Sequence, residues 1–342
     1  MVYRYVPILR FKAGERTALE KVSAAGRKDV VPLLVLAPDQ YVGKKATKAA
    51  AAVPSPAYVA QQMSYSWGPQ PFYLDAAALP ATAGGHPLAM IAAYARAAHL
   101  ALIPATTLGA SPQYHAAVAQ TVSTDGRGVA LRIDLSELAQ SASWVPGWSF
   151  PLNQTDLIID LGEVSAVVAL GAALDPTFFG LAGAANWRSV TVAGTNMPAN
   201  FQGVAAGLYP LPRAELALWQ RLTTISLPYR LDFGDYGTVS LAPAPSGIAW
   251  GFPITVKYTL GTSYLICRGV RTTGAGGVDM HVQLLGHAQG ITAHAGRGAL
   301  AHCWADGVID AISAATVKPG GLQQWVGYSV NRHIENTRAA IP

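Results

Sequence analysis

Charged side chains are scarce in this chain, and two pairs of them repeat one spacing. Lys, Arg, Asp and Glu make up 13% of its 342 residues, about half the usual share. Arg132 and Asp134 are two positions apart, as are Arg230 and Asp232, and alternate residues of a strand point to the same side. Two interpretations follow. Either the Arg binds an anionic group while the Asp acts as acid, base or ligand, or each Arg neutralises its own Asp.

These pairs belong to a larger set of charged residues near the ends of predicted strands. The candidate catalytic acids are Asp75, Asp134, Asp160 and Asp232, and the candidate ligand-binding bases beside them are Arg10, Lys12, Arg132 and Arg230. In a parallel barrel the carboxyl ends of all strands meet at one face. The residues predicted to line one mouth there are Arg10, Asp75, Arg132, Asp134, Asp160 and Asp232.

A second group of candidate ligand-binding residues lies near the C-terminus. His302, Trp304 and Asp306 alternate in the stretch AHCWADG, and His333 lies in VNRHIEN. These side chains either line a pocket or, as is more common for such residues, are packed and hydrogen-bonded in the core.

The sequence predicts no metal and no cofactor. The histidines form no HxxxH, HxH or HExxH pattern, and the two cysteines, Cys267 and Cys303, form no CxxC. Neither a GxGxxG after the first strand nor a Walker motif occurs, and a GxSxG nucleophile elbow is absent. No covalent mechanism is indicated.

Short apolar runs alternate with helical patterns along the first 245 residues. The runs cover residues 5–11, 30–37, 71–77, 101–107, 128–135, 156–162, 189–195 and 229–235. Such runs are typical of parallel strands covered on both faces. Two of the intervening helices are predicted to begin at Ser55-Pro56 and Ser111-Pro112. Eight units in this length predict an α/β fold, a (β/α)8 TIM-type barrel, in preference to an open doubly wound sheet.

The sequence after residue 245 has a different pattern. GFPITVKYTL and SYLICRGVR flank the turn Gly261-Thr262-Ser263 and predict an antiparallel hairpin, followed by helices. We therefore expect a barrel domain at residues 1–245 and a C-terminal α+β lobe at residues 246–342. The lobe is expected to pack on the barrel, because no spacer longer than APAPSG separates them.

The positive charge of the chain is concentrated near its N-terminus. The formal net charge is +5, and residues 1–48 hold ten Lys and Arg against four Asp and Glu. The loop after the second strand carries Lys44 and Lys45, two further candidate ligand-binding residues. This loop either forms a basic lid for a phosphate-bearing partner or, as is more common, a solvated segment.

The hydropathy pattern predicts a cytoplasmic protein without membrane contact. No window of eighteen residues is free of breakers and polar groups, since Asp175-Pro176 interrupts the most apolar stretch. The apolar run at the N-terminus is too short for a signal peptide.

Several stretches together resemble the phage and prophage beta protein family. They are YVPILRFKAGE with its ALEKV helix, YPLPRAELALWQRL at 209–222, the PITVKYTL and YLICRGVR hairpin, and AHCWADG with WVGYSVNRHIEN. The family usually has a Ser-Trp-Gly-Asp-like segment and paired histidines, where this chain has Cys303-Trp304-Ala305-Asp306 and Arg332-His333. No role of that Ser or of the first His is therefore carried over. The resemblance implies an accessory phage protein that influences host killing or interferes with other phages, without an established enzymatic activity.

Two functions remain as hypotheses. The first, which we favour, is a protein of phage–host conflict, in defence or in control of a killing factor, that binds a protein or nucleic-acid partner. The second is a barrel hydrolase acting on a phosphate-bearing or nucleotide ligand. The hydrolase requires a carboxylate at the barrel mouth that no Arg already neutralises.

Overall fold

The computed structural model describes residues 3–41, 55–240, 253–298 and 301–342. It divides into two compact units, each built from separate stretches of chain. The first unit comprises Met1–Lys12, Asp29–Gly194 and Leu218–Asp235, and the second comprises Ala13–Lys28, Thr195–Ala217 and Tyr236–Pro342. These units do not show whether residues 1–245 fold on their own, so the domain boundary expected at residue 245 stays a prediction.

Eleven strands lie within the described residues. They are β1 (Tyr5–Arg10), β2 (Leu33–Val35), β3 (Phe72–Asp75), β4 (Leu102–Thr106), β5 (Val129–Ile133), β6 (Thr155–Glu163), β7 (Ser189–Thr195), β8 (Gly207–Pro212), β9 (Leu231–Asp235), β10 (Thr255–Leu260) and β11 (Ser263–Arg268). Eight of them form a closed barrel in the order β1-β2-β3-β4-β5-β6-β7-β9.

The barrel confirms the predicted α/β fold of the (β/α)8 TIM type. Each of the eight apolar runs overlaps one barrel strand, and β1 closes the barrel on β9 in parallel register through Tyr5↔Phe233 and Pro7↔Asp235. All residues of β4 and of β7 are buried. Burial on both faces agrees with the nearly continuous apolar sequence of β4, whereas β7 also buries the hydroxyl side chains of Ser189, Thr191 and Thr195.

Helices of very different lengths connect and flank the strands. The α-helices are α1 (Ala13–Glu20), α2 (Ala24–Arg27), α3 (Pro56–Ser66), α4 (Leu88–Ala97), α5 (Pro112–Asp125), α6 (Leu135–Ala139), α7 (Ser141–Trp144), α8 (Ser165–Ala169), α9 (Asp175–Phe179), α10 (Ala214–Thr224), α11 (Met280–Thr292), α12 (Trp304–Ser313) and α13 (Leu322–Ala340). Short 3-10 turns occupy Pro38–Gln40, Val145–Gly147, Leu152–Gln154, Gly171–Leu174, Ala184–Asn186 and Ala295–Arg297.

The predicted Ser-Pro helix starts are confirmed at α3 and α5. The Ser55 hydroxyl accepts a hydrogen bond from the Tyr58 N–H at 3.2 Å, and the Ser111 hydroxyl accepts one from the Tyr114 N–H at 3.3 Å. A capping hydroxyl satisfies one of the unpaired N–H groups of the first turn. Proline as the first helical residue needs no donor there.

The second unit contains a three-stranded antiparallel sheet in the order β10-β11-β8. β10 and β11 form the predicted hairpin, with Leu260 paired to Ser263 beside the turn. β8 pairs with the other side of β11. Apolar side chains of the sheet and of α11, α12 and α13 share one core, which includes Tyr258, Leu265, Leu284, Ile309 and Trp325.

Helices α1 and α13 also pack within the second unit, although about 300 positions separate them in sequence. Glycines permit their close approach: a Cβ at Gly14 would lie 2.7 Å from the Gln323 carbonyl oxygen, and one at Gly327 would lie 3.2 Å from the Gly14 carbonyl oxygen. Such distances leave no room for a side chain at Gly14. The helix that follows the first barrel strand therefore belongs to the second unit.

Among the described residues, no helix combines the length and the apolar character needed to cross a bilayer.

Candidate functional site

Arg132 joins two acids from different strands at the carboxyl end of the barrel. Its Nη2 lies 2.6 Å from an oxygen of Asp160, and its Nη1 lies 3.5 Å from an oxygen of Asp75. Asp75 is the last residue of β3, whereas Arg132 and Asp160 lie in the second halves of β5 and β6. The structure therefore brings together three of the six residues predicted to line one mouth. We call Asp75, Arg132 and Asp160 the mouth cluster.

Backbone N–H groups hold both acids of the mouth cluster as well. The Ala77 N–H donates to Asp75 at 3.0 Å, and the Gly162 N–H donates to Asp160 at 3.0 Å. Burial raises the pKa of the Asp75 carboxyl, and the Ala77 N–H and the Arg132 guanidinium offset only part of this increase. The protonated form of Asp75 is therefore more accessible than that of an ordinary aspartate.

The remaining candidates of the N-terminal part are placed as follows. Arg10 is the last residue of β1 and thus lies at the carboxyl end of a barrel strand, half-buried. Lys12 follows it just before α1 and is half-buried as well. Lys44 and Lys45 lie outside the described residues.

Asp134 is a helix cap rather than a partner of Arg132. β5 ends at Ile133, so the backbone turns before the expected alternation can place both side chains together. The Asp134 carboxylate accepts hydrogen bonds from the Glu137 N–H at 2.8 Å and the Ser136 hydroxyl at 2.7 Å, while Glu137 accepts from the Asp134 N–H. These contacts form a capping box at the start of α6, and the Glu137 N–H is the main cause of the lowered pKa of Asp134.

We expect Asp134→Ala to lower the free energy of unfolding by about 1 kcal/mol, because it removes the acceptor of this cap. Asp134→Asn keeps a capping oxygen, so it is expected to lower the free energy of unfolding by only a few tenths of that value. The lowered pKa means that the stabilisation by the Asp134 charge is present above about pH 4 and fades as the pH falls. Urea unfolding at pH 7 and pH 3 measures both effects. Equal losses in the Ala and Asn variants would contradict the capping role.

Asp232 lies at the opposite end of the barrel, so its predicted place at the mouth is wrong. β9 begins at Leu231, which makes Asp232 the second residue of its strand and puts it near the amino end. Its carboxylate accepts the Arg4 N–H at 3.0 Å and lies 3.0 Å from the Arg230 Nε. For this pair the second interpretation holds, because Arg230 neutralises the Asp two positions after it. Burial raises the pKa of Asp232, and the Arg4 N–H and Arg230 lower it only in part.

A second buried acid at the amino end was not singled out from the sequence. Asp156, the second residue of β6, accepts hydrogen bonds from Arg188 Nε at 2.9 Å, the Tyr73 hydroxyl at 2.7 Å and the Ser189 hydroxyl at 2.6 Å. Burial by itself raises the pKa of Asp156. The hydrogen bonds and charge of Arg188, together with the hydrogen bonds from Ser189 and Tyr73, outweigh burial, so the pKa of Asp156 is lowered overall. The sequence signal that could have identified Asp156 is an acid within an otherwise apolar strand. The amino face of a barrel usually serves stability.

The C-terminal candidates do not form one exposed group. Asp306 is only 2% exposed and accepts hydrogen bonds from the Tyr258 hydroxyl at 2.6 Å and from Arg332 Nη1 at 2.8 Å. Trp304 packs edge-to-face on Tyr328. Both residues therefore stabilise the core of the second unit, which agrees with the more common interpretation of such side chains.

The two histidines of this group have different environments. His333 is fully buried, stacks on Tyr264 and contacts the hydroxyls of Thr259 at 3.0 Å and Thr337 at 3.3 Å. His302 is exposed, and its Nε2 lies 2.9 Å from Asp310. The two histidines therefore contact different residues and do not pair with each other.

Among the described residues, neither a metal-binding group nor a reactive thiol occurs. Within the described ranges, no group of three or more His, Cys, Asp or Glu side chains could hold a metal ion. Burial raises the pKa of Cys303 to about 11, with a contribution from Asp306, and burial raises the pKa of Cys267 to about 12. Both thiols are therefore protonated at neutral pH and are poor nucleophiles.

Comparison with known protein families gives a match over nearly the whole chain. The family model described as Beta protein matches residues 5–338, from the start of β1 to near the end of α13. A search among curated proteins finds no match to this sequence.

Proposed function

Because the chain belongs to the Beta protein family, we propose that it acts in conflict between a phage and its host by binding a partner, a protein or a nucleic acid. The role would be defence or the control of a killing factor. The phage context is taken from the family resemblance of the sequence stretches quoted above. The binding mechanism is our interpretation of the acids in the barrel.

One observation carries the preference for binding over hydrolysis: each candidate catalytic acid already has a partner. Asp75 and Asp160 share Arg132, and Asp232 has Arg230. Asp134 caps a helix. A carboxylate whose oxygens already accept hydrogen bonds or ion pairs from the protein is hindered as a base or as a ligand to a substrate. The four acids thus favour a structural role, which leaves binding as the better-supported function.

A specific observation keeps the hydrolase as the second candidate. Asp75 and Asp160 are 13% and 10% exposed at the carboxyl end of the barrel, which is the face where barrel enzymes place their active sites. The raised pKa of Asp75 would suit a general acid. In this mechanism Arg132 would hold an anionic phosphate group, Asp75 would protonate the leaving oxygen, and Asp160 would accept a proton from the attacking water.

Two isosteric variants separate these functions. We expect Asp75→Asn and Asp160→Asn, each in the full chain, to retain the effect on plaque formation of an infecting phage within about threefold, because neither acid performs chemistry in a binding protein. Asp134→Asn is the matched control, since it removes an acid that caps a helix at the surface. Melting temperatures of all three purified variants show whether the fold is kept. A loss of about 1,000-fold or more in a variant with an unchanged melting temperature would contradict binding and support the hydrolase.

The partner itself is accessible by co-purification. We expect the tagged chain to retain a defined macromolecule from phage-infected cells, and treatment with nuclease before elution distinguishes a nucleic acid from a protein. If the chain changes the plaque count of no phage in a broad panel, the proposed phage–host role is wrong.

A further inference from the structure

A cleft of about 630 Å³ lies entirely within the first unit. Its walls come from one face of α5, from Leu108 before that helix, and from residues 143–150, which run from α7 into the loop before β6. The volume is in the range of small-molecule sites, which are commonly 300–1,000 Å³. None of the candidate catalytic acids lines this cleft, so it has no part in the function proposed above.

Three aromatic side chains form one wall of the cleft. Trp144, Trp148 and Phe150 line it and are half-buried, so part of each ring is open to a ligand. The rings of Trp148 and Phe150 are in contact, with their centroids 5.3 Å apart, and Trp144 packs on the buried Trp187 at 6.1 Å. These contacts hold the aromatic wall in place before any ligand binds.

The polar edge of each indole is already used by the protein. The Trp144 Nε1–H donates to the Glu137 carbonyl at 2.8 Å, and the Trp148 Nε1–H donates to the Thr155 hydroxyl at 3.1 Å. Proline-rich peptides also dock on aromatic grooves, but here neither indole N–H is available to donate to a peptide carbonyl. The aromatic wall therefore offers ring faces rather than hydrogen-bond donors.

Hydrogen-bonding groups come instead from three other side chains of the cleft. His115, Ser143 and Ser149 line it and are accessible, and their side chains have no hydrogen-bond partner among the described residues. A hydroxyl donates one hydrogen bond and accepts others, and a neutral imidazole has one donor and one acceptor. Such groups match a ligand whose own polar groups both donate and accept, as hydroxyl groups do.

The cleft wall carries no fixed charge. Among the described residues that line it, none is a Lys, Arg, Asp or Glu. Nucleic-acid strands that stack on aromatic side chains also need a cationic groove for their phosphates. The wall therefore favours a neutral ligand that has an apolar face and several hydroxyl groups.

From these groups we infer that the cleft of the first unit binds a neutral oligosaccharide, with a sugar ring packed on the indole of Trp148 and its hydroxyls bound by Ser143, Ser149 and His115. The C–H groups on one face of a sugar ring are weakly positive, and the electron-rich face of an aromatic ring attracts them. The hydroxyls at the rim of the sugar then meet the unused polar groups. A failure of this inference leaves the proposed function untouched, because the two use different residues.

Binding of maltotriose, cellotriose and triacetylchitotriose to the full chain tests the inference by ligand-observed NMR and by titration of the tryptophan fluorescence. We expect at least one of these sugars to bind with a Kd of about 1 mM or tighter. Trp148→Leu should weaken that binding at least about tenfold, because it removes the ring face on which the sugar packs. Tyr65→Leu is the matched control, since Tyr65 is an exposed aromatic residue of α3 outside the cleft, and it should leave the Kd unchanged.

A serine variant separates binding from a structural role. Ser149→Ala should weaken sugar binding about three- to tenfold with an unchanged melting temperature, because this hydroxyl has no partner among the described residues. Ser64→Ala, at an exposed position of α3, is its control and should change neither value. The serine pair keeps the test decisive if Trp148→Leu lowers the melting temperature.

Three results would overturn the inference. The first is that none of the sugars binds. The second is that Trp148→Leu and Ser149→Ala both bind the sugars as well as the unchanged chain does. The third is that a polyproline peptide or uridine binds in a manner sensitive to Trp148→Leu while the sugars do not.

Discussion

Arg332→Leu is expected to lower the free energy of unfolding by about 3–5 kcal/mol, because it leaves the buried carboxylate of Asp306 without its closest cation. Both side chains are at most 2% exposed, and their charged atoms are 2.8 Å apart. The Tyr258 hydroxyl and the more distant Arg297, at 3.7 Å, remain near the acid but replace only part of the lost interaction. Urea unfolding followed by far-UV circular dichroism measures the loss.

The controls for this prediction use the same unit. Arg271 is exposed, and Arg271→Leu should change stability by no more than about 0.5 kcal/mol. Replacing Asp306 and Arg332 together by leucine should recover part of the single-variant loss, since no unpaired charge is then buried. A loss below about 1 kcal/mol for Arg332→Leu alone would show that Arg297 or solvent takes over the role.

The second large effect is expected at Asp156. Asp156→Ala should cost about 3–5 kcal/mol, because it leaves the Arg188 guanidinium and the buried hydroxyls of Tyr73 and Ser189 without their common acceptor. The variant is compared with the unchanged chain by urea unfolding at pH 7. Glu163→Ala, at the exposed end of the same strand, is the matched control and should have a small effect.

The pH dependence at Asp156 has a defined sign. Its pKa in the folded protein is below the ordinary value of about 3.9, so the folded state binds this proton less readily than the unfolded chain does. The stability that comes from the charged form is therefore complete above about pH 4 and is lost as the pH falls through the lowered pKa. The stability difference between the unchanged chain and Asp156→Asn should shrink between pH 5 and pH 2. A difference that stays constant over this range would contradict the lowered pKa.

The barrel was predictable because its signal is local. Most of the parallel strands are buried along nearly their whole length, so they leave short, mostly apolar runs in the sequence. Capping Ser-Pro pairs begin two of the helices between the runs. β8 has the opposite pattern: its residues alternate between half-buried and exposed, and it contains Pro210 and Pro212. Proline weakens a strand prediction and is tolerated at a sheet edge, which is where β8 lies in the order β10-β11-β8.

The site was only partly predictable, because it depends on where strands begin and end. Arg132 was expected to face Asp134, but the strand ends one residue too early, and the guanidinium instead contacts acids from β3 and β6. Asp232 was expected at the carboxyl end of its strand, but β9 runs from Leu231 to Asp235, so Asp232 is its second residue and lies near the amino end. Sequence patterns locate strand boundaries only to within a few residues. An error of that size is enough to decide whether a side chain lies at the barrel mouth or outside it.

The packing of α1 on α13 sets an order for the synthesis of the chain. The ribosome produces α1 about 300 residues before α13, and folding during synthesis proceeds from the N-terminal side. The contact between Gly14 and Gly327 cannot form until α13 has been synthesised. Contacts of such long sequence separation form slowly. Until then α1 lacks this helix partner, so the maturation of the helix that follows the first barrel strand waits for α13.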